Sequence, residues 1–233
     1  MGWVELEESV ALSLDSGAMA LAPACFRGSR QGRLCLEGGW QSQGEVFVEA
    51  SVEDLSPNLA LSLANSDLTF SQLLSGSVAW RQSGLSKPKA AVDLTISAGE
   101  VSVEDEPVLA TGRGRFGFEI ADGRLFAGNL DIPVPGSGGI DTDFSVPDLA
   151  DGLDSPAQGR FQLNLRDIEP LLDLIPVIEG SYGPVAADMR IGGTLADPRF
   201  TGHLSLVRGS VSHFPSGLLL ENLQLAGAVY EFD

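Results

Sequence analysis

Residues 196–209 read ADPRFTGHLSLVRG: a turn sequence, then Phe200, Gly202, Leu204 and Leu206 alternating with Thr201, His203 and Ser205. Successive side chains of a strand point to opposite faces, so this stretch encodes a turn and a strand with one apolar face. Such a face must be covered, and the way it is covered decides the fold.

The same alternation recurs along most of the chain. It runs through Val10-Leu12-Leu14, Val46-Val48, Leu59-Leu61-Leu63, Val78-Trp80, Val92-Leu94-Ile96 and Val101-Val103. It continues through Phe116-Phe118-Ile120, Leu130-Ile132-Val134, Phe161-Leu163-Leu165, Met189-Ile191 and Leu223-Leu225. Between these segments lie turn sequences such as Leu-Ser-Pro-Asn (55–58), Ala-Asp-Gly (121–123), Gly-Ser-Gly-Gly (136–139) and Ala-Asp-Pro (196–198). Short links of this chemistry join antiparallel neighbours, so the pattern predicts an all-β chain. GRFGFEI (114–120), GRFQLNL (159–165) and PRFTGHLSL (198–206) share a phrase and read as one hairpin unit reused with drift.

Helical signal is confined to two places. In DIEPLLDLIPVIEG (167–180), Asp167 can cap, Pro170 suits a first turn and Pro176 ends the apolar run, so a short helix is expected there, packed on one end of the sheet or acting as a lid. A single helical turn is expected at TFSQLLSG (69–76). Two short helices cannot cover so many one-faced strands. The sheet must therefore form a sandwich, close as a barrel, or curl into an open trough whose apolar interior meets something else apolar.

The 233 residues carry 14 Lys and Arg against 32 Asp and Glu, a formal net charge of −18. A surface this acidic repels phosphate backbones and anionic headgroups, which disfavours nucleic acid and polybasic membrane binding. The chain shows no signal peptide at its start and no run of about 18 apolar residues, and its last residues stop within an alternating pattern. An internal segment of a longer exported protein is the expected context, as one continuous unit with a possible subdivision near 150–158. Cys25 and Cys35 flank a link containing Gly28 and Gly32, and a disulfide is expected over two free thiols, which implies an oxidising compartment.

Catalytic and cofactor motifs are weak. Gly112, Gly114 and Gly117 form a GxGxxG, but a strand pattern follows where a dinucleotide site needs a helix. His203 and His213 have no metal-ligand spacing, and His203 falls opposite the apolar positions of its strand. Asp141/Asp143 and Glu104-Asp105-Glu106 are expected as charged turns, since a calcium loop needs more oxygens in a fixed frame. There is no GxSxG elbow. No enzymatic activity, metal or cofactor is expected.

The last seventy residues resemble the repetitive β-rich region of the TamB family, within the AsmA-like superfamily. The family phrase G-x-L-x-x-P-x-x-x-G-x-L-x-L-x-x-G is met at Gly193, Leu195, Pro198, Gly202, Leu204, Leu206 and Gly209. ACFRGSRQGRLCLEGGW is similar to the family's paired-cysteine hairpin, with Cys25, Cys35 and Trp40 in order. The resemblance implies a long antiparallel sheet curled into an open U-shaped trough, akin to that of bridge-like lipid-transfer proteins. It also implies an inner-membrane-anchored protein crossing the periplasm, with phospholipid as cargo and TamA, an outer-membrane barrel of the BamA superfamily, as partner.

In such a trough, Val46, Val48, Leu59, Leu61, Leu63, Val78, Trp80, Val92, Leu94, Ile96, Phe116, Phe118 and Ile120 would face the lipid groove. So would Leu130, Ile132, Phe161, Leu163, Leu165, Met189, Ile191, Phe200, Leu204, Leu206, Leu223 and Leu225. About 16 strands at about 4.8 Å would extend roughly 75 Å along the axis. The competing expectation is an assembly module whose free sheet edges pair with strands of outer-membrane proteins.

Overall fold

The computed structural model describes residues 4–15, 17–28, 32–42, 44–58, 68–103, 106–122, 124–149, 151–167, 179–213 and 218–229. The chain folds as an antiparallel meander. β1 (Val4–Leu6) and β2 (Leu12–Asp15) both pair with β3 (Ala18–Gly28), which leads to β4 (Arg33–Gln41) and β5 (Glu45–Leu55). β6 (Leu68–Phe70) leaves this path, and β7 (Leu74–Ser83) and β8 (Lys89–Ile96) resume it. The hairpin of β9 (Gly99–Val103) and β10 (Glu106–Thr111) leaves it again before β11 (Gly114–Ala121), β12 (Arg124–Val134), β13 (Gly138–Val146) and β14 (Gln158–Leu165). β14 pairs with β16 (Val185–Gly193), β16 with β17 (Pro198–His213), and β17 with β18 (Leu218–Val229) and β15 (Glu179–Tyr182).

The result is one 15-stranded antiparallel sheet, open rather than closed into a barrel, and a second sheet of three strands ordered β10-β9-β6. β1 and β2 share one flank of β3, and β15 and β16 share one flank of β17. The main sheet therefore has thirteen places side by side, or about 58 Å at about 4.8 Å per step. This is shorter than the strand pattern predicts, because three strands go to the second sheet and two pairs of short strands each share one place.

The small sheet arises from one margin. β5, β8 and β12 end there, and β7, β11 and β13 begin there. Main-chain and side-chain hydrogen bonds tie the small strands to that margin: Ser97 N–H to the Leu73 carbonyl (2.8 Å), Leu73 N–H to Ser97 Oγ (2.9 Å), and Gly112 N–H to the Pro133 carbonyl (2.7 Å). Buried Gln72 donates from Nε2 to Thr111 Oγ1 at 2.8 Å. From this anchorage Val101 and Leu109 pack on Val134, Leu165, Val185 and Leu206, with Phe70, Val108 and Leu163 around them. This is the main core, and it sits between the two sheets along one margin.

Two local expectations change, and a third falls mostly outside the described residues. Residues 69–76 form β6 and the start of β7 instead of a helical turn. Asn58 explains it: its side-chain amide donates to the Phe70 carbonyl and accepts from the Phe70 N–H, both at 2.8 Å, which holds the backbone extended. Of the expected helix 167–180, residues 168–178 lie outside the described residues, and Glu179 and Gly180 belong to β15. Asp141 and Asp143 lie within β13 and not in a turn.

Candidate functional site

Register shows what the alternation builds. Reading across strands, Phe26, Leu34, Val52, Gly76, Leu94, Phe116, Leu130, Thr142 and Phe161 stand directly opposite one another in turn from β3 to β14. Met189 and Gly202 continue the row on β16 and β17. Opposed residues of neighbouring strands share a face, so one row crosses eleven strands, with side chains from nine of them, glycine at Gly76 and Gly202, and Thr142 as its sole polar member. A parallel row runs from Leu36 through Ala50, Val78, Val92 and Phe118.

Val46, Val48, Trp80, Ile96, Ile120, Ile132, Leu163, Leu165, Ile191, Phe200, Leu204 and Leu206 occupy the same face. Leu59, Leu61 and Leu63 lie outside the described residues, and Leu223 and Leu225 occupy β18 opposite Gly209 and Leu206. Leu34, Leu36, Val52, Ile140, Phe144 and Val185 join the face although no prediction named them. Leu34 and Leu36 alternate around Cys35, and Ile140 and Phe144 around Thr142, so weaker versions of the signal were there.

Glycines shape this face where backbones or rings approach. A Cβ on Gly128 would meet the Phe144 ring at 2.6 Å, so that ring lies over the glycine and fills the gap in its row. Gly138, at φ +132, starts β13 with its Cα against the Asn164 carbonyl, where an L side chain would be both strained and in collision.

The opposite face is charged and organised in diagonal pairs that each join neighbouring strands. Arg115 Nε lies 3.2 Å from Asp93 Oδ1 and its Nη2 3.2 Å from Oδ2. Arg160 repeats the bidentate arrangement on Asp188 at 2.9 and 2.6 Å. Arg81 holds Glu49 and stacks 6.0 Å from the Phe47 ring centroid. The Arg160 guanidinium keeps the Asp188 carboxyl below its ordinary range, and Arg81 does the same to Glu49. At the N-terminal end, Glu7 accepts from Arg27 Nε at 2.7 Å and from Arg33 Nε at 2.9 Å, and these hydrogen bonds lower its pKa.

Cys25 and Cys35 are bonded across β3 and β4 on this charged side. His203 is exposed on the same side, opposite Asp188. A shallow hollow there is lined by Asp143, Arg160, Asp188, Arg190, Thr201 and His203. Its two carboxylates and two guanidiniums are spread over three strands, without the convergence that acid–base catalysis requires. No group of three or more His, Cys, Asp or Glu among the described residues is placed to hold a metal ion. No helix among them is long and apolar enough to cross a membrane. Gly114 and Gly117 of the GxGxxG lie inside β11, with no helix to receive a pyrophosphate.

Burial is graded across the apolar face. At the margin under the small sheet, Leu165 is 1% and Val185 2% exposed. Further along the strands, Phe161, Met189, Phe116 and Phe118 are half-buried, and Phe200 and Leu204 are exposed. The arrangement is a two-faced wall: a broad, mainly apolar surface incompletely covered by the protein, backed by an acidic exterior.

No curated protein and no solved structure matches this chain. The family description "TamB, N-terminal domain" matches residues 1–206, which takes in every strand from β1 to β16 and the apolar part of β17. With a long open antiparallel sheet, one apolar face and a disulfide-bonded hairpin near its start, the chain belongs to the TamB family.

Proposed function

We propose that this chain is a non-enzymatic segment of a lipid conduit, in which phospholipid acyl chains lie on the apolar face while headgroups stay in water. The observation that carries the reading is the apolar row from Phe26 to Gly202, continuous over eleven strands and only half covered by protein. Hiding acyl chains there is worth about 0.8 kcal/mol per CH₂. A uniform apolar face offers similar binding at each step, so a lipid can slide along it without deep traps. Membership of the TamB family supports a role in the translocation and assembly module. On this reading the segment stands in the periplasm of an inner-membrane-anchored protein and works with an outer-membrane barrel of the TamA kind.

The test is face-specific crosslinking. Photoreactive residues at Leu163 and Leu204 should capture phospholipid, and those at Asn164 and Ser205, which point to the other face, should not. Equal labelling of both faces, or none at either, would refute the conduit.

A second reading, an assembly module acting through sheet-edge pairing, is favoured by β18, whose 12 residues pair only with β17 among the described residues. The two separate with Leu204→Arg, which charges the apolar face and leaves the β18 backbone untouched. Lost lipid movement with intact outer-membrane protein insertion supports the conduit, whereas lipid movement left intact by Leu204→Arg refutes it and leaves edge pairing standing.

A further inference from the structure

The apolar face is not equally accessible from its two sides. One margin lies under the small sheet, where Val134, Leu165, Val185 and Leu206 are buried. At the opposite margin the face runs out into solvent over its N-terminal half. There Leu14, Met19, Trp40 and Val46 stand opposite one another in turn on β2 to β5, with Leu12, Leu21, Val48 and Trp80 in the adjacent row. Leu14 is 73% and Trp40 44% exposed, and Leu85, at the tip of the β7–β8 turn, is fully exposed. Further on, the margin is covered at β12 and β13, where Leu125 lies opposite Val146 and both are buried, while Phe200 on β17 is exposed.

The rim of this open stretch has its own chemistry. The only two lysines of the 233-residue chain, Lys87 and Lys89, flank Pro88 beside Leu85. Both are exposed, and neither forms an ion pair among the described residues. The turn that presents them is fixed: Ser86 N–H and Oγ both bond the Ser83 carbonyl (3.0 and 2.6 Å), and Gly84 N–H bonds the Gly44 carbonyl (2.9 Å). Asp15 and Glu45 lie on the same margin, and Lys89 stands opposite Arg81 on the charged face, so the lysines and Arg81 make a local cationic point on an otherwise acidic edge. Tryptophan with lysine beside exposed aliphatic side chains is the combination that suits a water–lipid boundary.

We infer that the β2–β8 margin is a lateral portal, where a phospholipid enters the groove tails first, its acyl ends toward the small sheet and its phosphate at Lys87 and Lys89. This rests on the conduit reading and adds to it a place of entry and a fixed orientation. Two experiments on the 233-residue chain test it. Phospholipids carrying a diazirine either in the headgroup or at the acyl terminus are loaded and crosslinked, and the adducts mapped. Headgroup probes should label the 82–90 turn, and terminal-acyl probes the region of Ile132 and Leu163. Reversed or indistinguishable maps overturn the portal alone, whereas no adduct from either probe overturns the conduit and the portal together.

In the second, K87Q/K89Q should slow uptake from vesicles of phosphatidylglycerol and phosphatidylethanolamine by roughly tenfold at low salt, an effect that shrinks at high salt. Thermal stability should be unchanged, since neither lysine is paired. Uptake equal to that of the parent chain overturns the portal.

Discussion

At the scale of single residues, the energetics follow position across the apolar face more than residue type. Leu165 and Leu204 are both leucines on that face, but one is 1% and the other 38% exposed. Leu165→Ala should cost about 2–5 kcal/mol in urea unfolding, as expected for a cavity in a packed core, and Leu204→Ala under about 1 kcal/mol. Equal costs would mean that the small sheet does not cover the face as described. Gly138→Ala places a Cβ against the Asn164 carbonyl at a positive φ and should destabilise by about 1–3 kcal/mol or more, with no new contact to offset it.

Glu7 sets a pH dependence. Its folded pKa lies below the ordinary 4.5 because Arg27 and Arg33 hold the ionised form. Its contribution is therefore present above the unfolded value and lost as pH falls through the folded one. Stability of the parent chain should drop as pH falls below about 4.5, and Glu7→Gln should flatten that drop in a pH series of urea melts while lowering stability at neutral pH.

At the scale of elements, each strand is held mainly by its neighbours in sequence. Register depends on alternation plus a few pins. One pin is the Cys25–Cys35 bond across β3 and β4, separated by 10 in sequence. Removing it with Cys25→Ser and Cys35→Ser should cost about 2–3 kcal/mol, from the lost restriction of a loop of that size in the unfolded chain. Reduction of the parent chain should give the same change in the urea midpoint, while a negligible change would show that the diagonal ion pairs and β-pairing suffice. Gln72 is another pin, since it joins the link between β6 and β7 to the end of β10 and so fixes the root of the small sheet.

At the scale of the whole molecule, a meander with a local second layer should not open uniformly. The two-layered part spans β12 to β17, and the N-terminal strands β1 to β4 contribute little more than Ala24 to the buried apolar set. Amide exchange should therefore be fastest in β1–β4 and slowest in β12–β16, β9 and β10, as expected where stability depends on near-neighbour contacts and local burial. Uniform protection along the chain would contradict this.

Most of the strands, many of the turns between them and the apolar side of each such strand are legible in the sequence, because a period of two is a local property that register cannot undo without exposing the whole set. ADPRFTGHLSLVRG could thus be read as a turn and a one-faced strand, and Phe200, Leu204 and Leu206 do share one face. Which strand lies beside which, and how deeply each apolar side chain is buried, is set by three-dimensional packing. Val101 and Val103 alternate just as Val92 and Leu94 do, yet they belong to the small sheet: alternation specifies an apolar side and not the partner that covers it. The 69–76 segment departs from its local helical pattern for a related reason, since the Asn58 amide that holds Phe70 extended is a contact across 12 residues that no local pattern announces. The difference between the buried margin at Leu165 and the open one at Trp40 is likewise tertiary, because it depends on three strands leaving the main sheet from one side only.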